Sequence, residues 1–149
     1  LAEMLEIVRQ TLQADLDDTE SFVTLFHARL DAATGRVRYA DAGHGLTLVV
    51  HADGSSDRLV TSDLPLGVDA GATVGERVLD LEPGDTLLCF SDGLHDMLGS
   101  DQAAWDEITQ LVRVHPEPDD LVAQVRSLAQ LGSPSDDVTA VALRRLPLT

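Results

Sequence analysis

The chain has 149 residues, enough for one domain with a substantial core, and its 26 acidic and 10 basic residues, all arginine, give a formal net charge of −16. A surface this acidic repels phosphate backbones and anionic lipid, so we expect no nucleic-acid partner and no membrane partner. The single cysteine excludes an internal disulfide, and with no signal-peptide pattern or membrane-length apolar run it favours a cytoplasmic location.

The first half of the chain predicts one helix followed by strands. Apolar residues recur at helical spacing from the first residue, at Leu1, Met4, Leu5, Val8 and Leu12. Alternation, β-forming residues and glycine-containing turns then predict strands at residues 22–30, 36–40, 46–51, 58–60 and 74–81, with a loop at 61–73. The run at residues 86–90 is apolar apart from Thr86, which is typical of a buried central strand.

The second half predicts two helices and a last strand. Ser100 is a suitable N-cap for the first helix, which carries Ala104, Ile108 and Leu111 on one face. Pro118 suits the first turn of the second helix. A last strand is predicted at residues 138–144, and the order of elements indicates an α+β fold in a single domain covering residues 1–149.

Two acidic clusters lie at predicted strand ends. Asp92 and Gly93 closely follow strand 86–90, and Asp136 and Asp137 directly precede strand 138–144. Strands hold side chains in fixed positions, a glycine lets the backbone approach an ion, and Mg²⁺ and Mn²⁺ prefer oxygen ligands. The clusters can share a cation only if their strands are neighbours. The alternative is that Asp-Gly is an ordinary turn and Asp-Asp a solvated loop.

Five segments occur in the order typical of one enzyme family. They are residues 22–24 (FVT), 35–44 (GRVRYADAGH), 64–67 (LPLG), 83–93 (PGDTLLCFSDG) and 136–139 (DDVT). Each is weak alone, but together they resemble the SpoIIE/RsbU branch of the bacterial metal-dependent serine/threonine phosphatases (PPM, type 2C). The resemblance implies a four-layer αββα sandwich with two Mn²⁺ or Mg²⁺ ions at one edge.

The resemblance also implies roles for individual residues. Asp92 and Asp136 would be catalytic as ligands of the second ion, Asp137 would lie in its outer shell, and Gly93 would allow a tight turn beside the metal. Asp96 falls where many relatives carry glutamate. His44 ends the Ala-Gly-His segment, where a structural role is favoured over a catalytic one.

The implied reaction is hydrolysis of a phosphoseryl or phosphothreonyl protein. In a two-metal mechanism water attacks phosphorus in line and the seryl or threonyl oxygen leaves, so no protein nucleophile is needed. The sequence has no G-x-S-x-G, P-loop or H-E-x-x-H motif that would favour another chemistry. Among relatives the substrate is often a STAS-type anti-anti-sigma factor in bacterial stress or development signalling. An upstream sensor domain and a homodimer are left open.

The chain departs from the family pattern in one respect. The family's first metal motif, an Asp-Gly followed closely by Gly-His-Gly, lies upstream of the helix that opens this sequence. We therefore expect a domain incomplete at its N-terminus, lacking its first strands and first metal motif, and inactive alone although the full-length protein is active. Two alternatives stay open, a non-catalytic phosphatase-like interaction module and an acidic cation-binding domain.

Overall fold

The computed structural model describes residues 1–60, 63–99 and 101–147. Its elements, in chain order, are α1 (Ala2–Asp18), β1 (Leu25–Leu30), β2 (Arg36–Ala42), β3 (Thr47–Val50), β4 (Ser56–Arg58), β5 (Arg77–Asp80), β6 (Thr86–Phe90), α2 (Asp92–Met97), α3 (Asp101–Val114), α4 (Pro118–Leu131) and β7 (Ala140–Arg144). They fall into two compact units, one made of Leu1–Gly45 and Val60–Leu81 and the other of Leu46–Leu59 and Glu82–Thr149.

The first unit is a helix packed on a three-stranded antiparallel sheet of order β1-β2-β5. The apolar stripe of α1 continues beyond the predicted positions to Leu16, which is buried with Ala42 of β2 and Leu66 of the segment between β4 and β5, and the predicted Val8 and Leu12 pack against this cluster. The β1–β2 turn closes as a hairpin, with Gly35 in the left-handed conformation (φ 78°) that favours glycine. The predicted opening helix and hairpin are confirmed.

The second unit carries a four-stranded antiparallel sheet of order β4-β3-β6-β7. One face of β3 and β6 packs against α2, α3 and α4 around a core of ten buried residues, namely Leu48, Val50, Leu88, Phe90, Leu94, Trp105, Ile108, Val112, Leu121 and Val125. The apolar strand β6 lies inside this sheet, as its composition predicted, because both of its edges are paired. This sheet positions the acidic residues.

The predicted α+β class is confirmed, since helices accompany two antiparallel sheets. Several boundaries differ from prediction. Strand β1 begins at Leu25 because Val23 forms only an isolated bridge with Leu66, and β4 lies at Ser56–Arg58 instead of 58–60. The short helix α2 was not predicted, and the predicted N-cap Ser100 lies outside the described residues. Within the described ranges, no helix is long and apolar enough to cross a membrane.

Candidate metal centre

The two acidic clusters, hereafter the acidic segments, contain Asp92 and Gly93 in one case and Asp136 and Asp137 in the other. They meet at one edge of the second sheet. Strands β6 and β7 are antiparallel neighbours whose last pair joins Phe90 to Ala140. The end of β6 and the start of β7 therefore lie at the same sheet edge. The chain leaves β6 into Asp92 and enters β7 from Asp136, so the condition that the two strands be neighbours is met.

The two segments are also in direct backbone contact. A β-carbon built on Gly93 would lie 2.4 Å from the main-chain oxygen of Asp137 and 2.9 Å from that of Asp136. Real β-carbons do not approach other atoms this closely, so only glycine fits at position 93. Gly93 itself is buried, whereas Asp92 and Asp136 beside it are exposed.

The side chain of each of the two aspartates is oriented by a hydrogen bond from the backbone N–H of the following residue. Oδ1 of Asp92 accepts a hydrogen bond from the N–H of Gly93 at 2.9 Å, and Oδ1 of Asp136 accepts one from the N–H of Asp137 at 2.7 Å. In the part of the chain that the structure describes, neither Oδ2 has a protein donor. Each carboxylate therefore keeps one oxygen available for a ligand.

The donor chemistry of this edge fits a hard divalent cation. It offers one available carboxylate oxygen each from Asp92 and Asp136, and Mg²⁺ and Mn²⁺ favour oxygen ligands of this kind. Among residues 1–60, 63–99 and 101–147, no group of three or more His, Cys, Asp or Glu side chains is arranged to hold a metal. A cation bound here would complete its coordination with water or with further ligands.

Helix α2 carries Asp92 and is fixed to α3 through aromatic packing. His95 of α2 packs edge-on against Trp105 of α3, with ring centroids 6.0 Å apart. Phe90, the last residue of β6, also packs edge-on against Trp105, with ring centroids 5.3 Å apart. The guanidinium of Arg58 lies over the same indole, 4.4 Å from its centroid. The side chain of His95 is only 17% exposed and belongs to this helix.

Asp96 lies on the same short helix as Asp92. Its carboxylate is exposed, and its Oδ1 lies 3.3 Å from Nδ1 of His95. Helix α2 spans only Asp92–Met97, less than two turns, so apolar periodicity could not reveal it. The sequence signal that does exist is the placement of Ser91 and Asp92 at a helix start, where both residue types are favourable.

His44 belongs to the first unit, in a turn that a buried carboxylate organises. Asp41 is 1% exposed, and its Oδ1 accepts hydrogen bonds from the backbone N–H groups of His44 at 2.7 Å and Gly45 at 3.2 Å. Gly43, at φ 69°, packs against Pro65 so closely that a β-carbon would lie 2.5 Å from its ring. This geometry gives the segment a structural role, and no contact tests a catalytic role for His44.

Comparison with known proteins identifies a family and related sequences. The profile of the family described as Stage II sporulation protein E (SpoIIE) matches residues 1–146. Among curated proteins, the chain is 27% identical over 99 residues to Protein IcfG of Synechocystis sp., which covers 64% of this chain and 16% of that protein.

Solved structures share the fold. The RsbU and RsbW domains of Rv1364c from Mycobacterium tuberculosis match with a TM-score of 0.79 and 29% identity, over 100% of this chain and 43% of that one. The catalytic domain of the serine/threonine phosphatase PstP, solved in complex with two manganese ions, matches with a TM-score of 0.76 and 17% identity, over 98% of this chain and 70% of that one. The chain spans less than half the length of Rv1364c as solved and of IcfG.

Proposed function

The chain belongs to the SpoIIE family, and from this we propose that the protein is a metal-dependent phosphatase acting on phosphoserine or phosphothreonine in a protein substrate. The observation that carries the proposal is the meeting of residues 91–93 and 136–139, two family motif segments, at one sheet edge with their backbones in contact. Homology to the type 2C and SpoIIE phosphatases, which are hydrolases, supports the same reaction class.

Asp92 and Asp136 would hold a divalent cation through their available carboxylate oxygens. Asp137 would lie in the outer shell, and Gly93 would keep the two segments close enough to share the ion. Bound Mn²⁺ or Mg²⁺ supplies activation of water and neutralisation of charge on the transferring phosphoryl group. The exposure of Asp92 and Asp136 leaves the edge accessible to a phosphorylated side chain on another protein.

We extend the proposal to a second ion and a missing ligand. A two-metal centre needs more carboxylates than Asp92 and Asp136, and the described residues hold no three-ligand group. The resemblance assigns the bridging aspartate to an Asp-Gly motif upstream of α1. On this proposal the 149-residue chain turns over no substrate, whereas the complete protein does. The manganese pair in PstP supports a two-ion centre in a protein of the same fold.

The substrate we propose is a phosphorylated STAS-type anti-anti-sigma factor, in bacterial stress or development signalling. The resemblance to the SpoIIE/RsbU branch supports this class, and the match to a solved chain with RsbU and RsbW domains is consistent with it.

A phosphatase assay on the complete protein tests the proposal. We expect release of inorganic phosphate from a phosphoseryl STAS protein in Mn²⁺ or Mg²⁺, and loss of that release when the metal is chelated. The 149-residue chain is assayed beside it and is expected to be inactive. A complete protein that binds the phosphorylated STAS protein without turnover would support the alternative, a non-catalytic interaction module.

A further inference from the structure

Ser91 lies at the point where the β6–β7 ladder ends, between the two acidic segments. Its hydroxyl accepts a hydrogen bond from the backbone N–H of Thr139 at 2.9 Å and donates one to the main-chain oxygen of Asp137 at 2.9 Å. Its own backbone N–H donates to the carbonyl of Thr139 at 3.0 Å. One residue therefore ties the segment before α2 to the segment before β7 through three hydrogen bonds.

The hydroxyl takes over a role that a backbone carbonyl has in a regular ladder. In a hydrogen-bonded antiparallel pair, the two residues exchange both N–H···O=C bonds. Here the N–H of Thr139 is bound by the Ser91 hydroxyl instead of the Ser91 carbonyl. That carbonyl accepts the N–H of Leu94 at 3.1 Å, which begins α2. The side chain thus allows the strand to keep its partner while the main chain turns into the helix that starts at Asp92.

Helix capping does not explain the position of this side chain. Ser91 is the N-cap residue of α2, where a serine hydroxyl ordinarily accepts a hydrogen bond from an N–H of the first helical turn. No such side-chain bond is present, since the hydroxyl is directed to the other segment. The geometry therefore links Ser91 to the relative placement of the two acidic segments.

We propose that Ser91 is a positioning residue for the cation site, because its hydroxyl holds the backbone that carries Asp136 and Asp137 against the turn that carries Asp92. The inference rests on the proposed function and assigns Ser91 no contact with metal or substrate. When a group that orients metal ligands without touching the metal is removed, metal affinity typically falls by about 10-fold to 100-fold. Asp137 and Thr139, the residues that the hydroxyl joins, are exposed, so water can replace the hydroxyl and the fold should persist.

The test compares three variants of the complete protein. Ser91→Ala removes the hydroxyl, Ser91→Thr keeps it, and Ser135→Ala is the matched control because Ser135 adjoins Asp136 and its side chain makes no hydrogen bond to any described residue. The dissociation constant for Mn²⁺ is measured by titration calorimetry. We expect Ser91→Ala to raise this constant by about 10-fold or more, and Ser91→Thr and Ser135→Ala to leave it within about 3-fold of the parent.

A second measurement separates positioning from general destabilisation. Amide hydrogen exchange at Thr139 should be slow in the parent and in Ser91→Thr, and fast in Ser91→Ala, while exchange in the core of β6 stays unchanged. If Ser91→Ala binds Mn²⁺ as the parent does, or if Ser91→Thr loses affinity equally, the inference is overturned. A parent protein that binds no Mn²⁺ would instead overturn the proposed function on which the inference rests.

Discussion

Gly93 lies against the main-chain carbonyl of Asp137 so closely that a β-carbon at position 93 would be 2.4 Å from that oxygen. The contact joins residues that are distant in sequence and fixes the separation of two acidic segments. It is made by backbone on both sides, so a rotamer change cannot relieve an added methyl group.

Gly93→Ala tests this contact. Alanine is favoured over glycine inside a helix by about 0.5–1 kcal/mol, but the overlap with backbone outweighs that gain. We expect the free energy of unfolding to fall by about 1–3 kcal/mol, the usual cost of overpacking, as measured by urea denaturation. Gly71→Ala is the control, since an exposed β-carbon there meets nothing closer than 3.4 Å. Equal stability of the two variants would contradict the contact.

Asp92→Asn and Asp136→Asn test the proposed ligands. Each keeps the size of the side chain and removes the negative charge that a divalent cation needs. In the complete protein we expect turnover to fall by orders of magnitude while the circular dichroism spectrum stays the same. Asp18→Asn, an exposed aspartate on α1, should change neither. Near-parental turnover in Asp92→Asn or Asp136→Asn would remove that residue from the proposed site.

His51 predicts a pH dependence of stability. Its ring nitrogens lie 3.1 Å from Asp57 Oδ2 and 2.9 Å from Asp85 Oδ2, and these hydrogen bonds raise the pKa of His51 above 6.5 despite partial burial. A histidine whose pKa is raised in the folded state makes its full contribution to stability at pH values below the ordinary histidine pKa. That contribution is lost as the pH rises through the folded-state pKa, with a slope of at most about 1.4 kcal/mol per pH unit for one proton.

Urea denaturation from pH 6 to 9 measures this slope. The unfolding free energy should decline over that range in the parent, and the decline attributable to His51 should disappear in His51→Asn. His115→Asn is a control on the histidine that directly follows α3. If the pH dependence of the unfolding free energy is the same in His51→Asn as in the parent, the contacts of His51 with Asp57 and Asp85 do not account for the decline.

The stacking of Arg58 on Trp105 predicts a small stability effect. Cation–π contacts at accessible positions contribute about 0.5–1 kcal/mol. Arg58→Ala should lower the unfolding free energy by about that amount, and Arg126→Ala, which removes an exposed arginine of α4, should have less effect. Denaturation followed by the fluorescence of Trp105, the single tryptophan of the chain, measures both. A larger loss in Arg126→Ala would contradict the assignment.

The sequence predicted those elements whose own residues carry a strong pattern. Strand β6 was found because four of its five residues are apolar, and α3 and α4 because each is long enough for an apolar stripe to repeat. Helix α2 has six residues, too few for a period, so Asp92 was assigned to a strand end although it begins a helix.

The candidate site depended on information beyond local pattern. Asp92 and Asp136 come together only because β6 pairs with β7, and alternation along a strand does not specify its partner. The role of the Ser91 hydroxyl could not be predicted either, since a serine before a helix normally indicates a cap. The family resemblance predicted that the two acidic segments share one site. The hydrogen bonds between them are known only from the structure.

Anomalous X-ray diffraction from crystals of the complete protein grown with Mn²⁺ tests the central claim most directly. We predict a manganese peak within coordination distance of carboxylate oxygens of both Asp92 and Asp136, at the sheet edge where β6 ends and β7 begins. Manganese bound only at other carboxylates, with Asp92 and Asp136 free in solvent, would contradict the account.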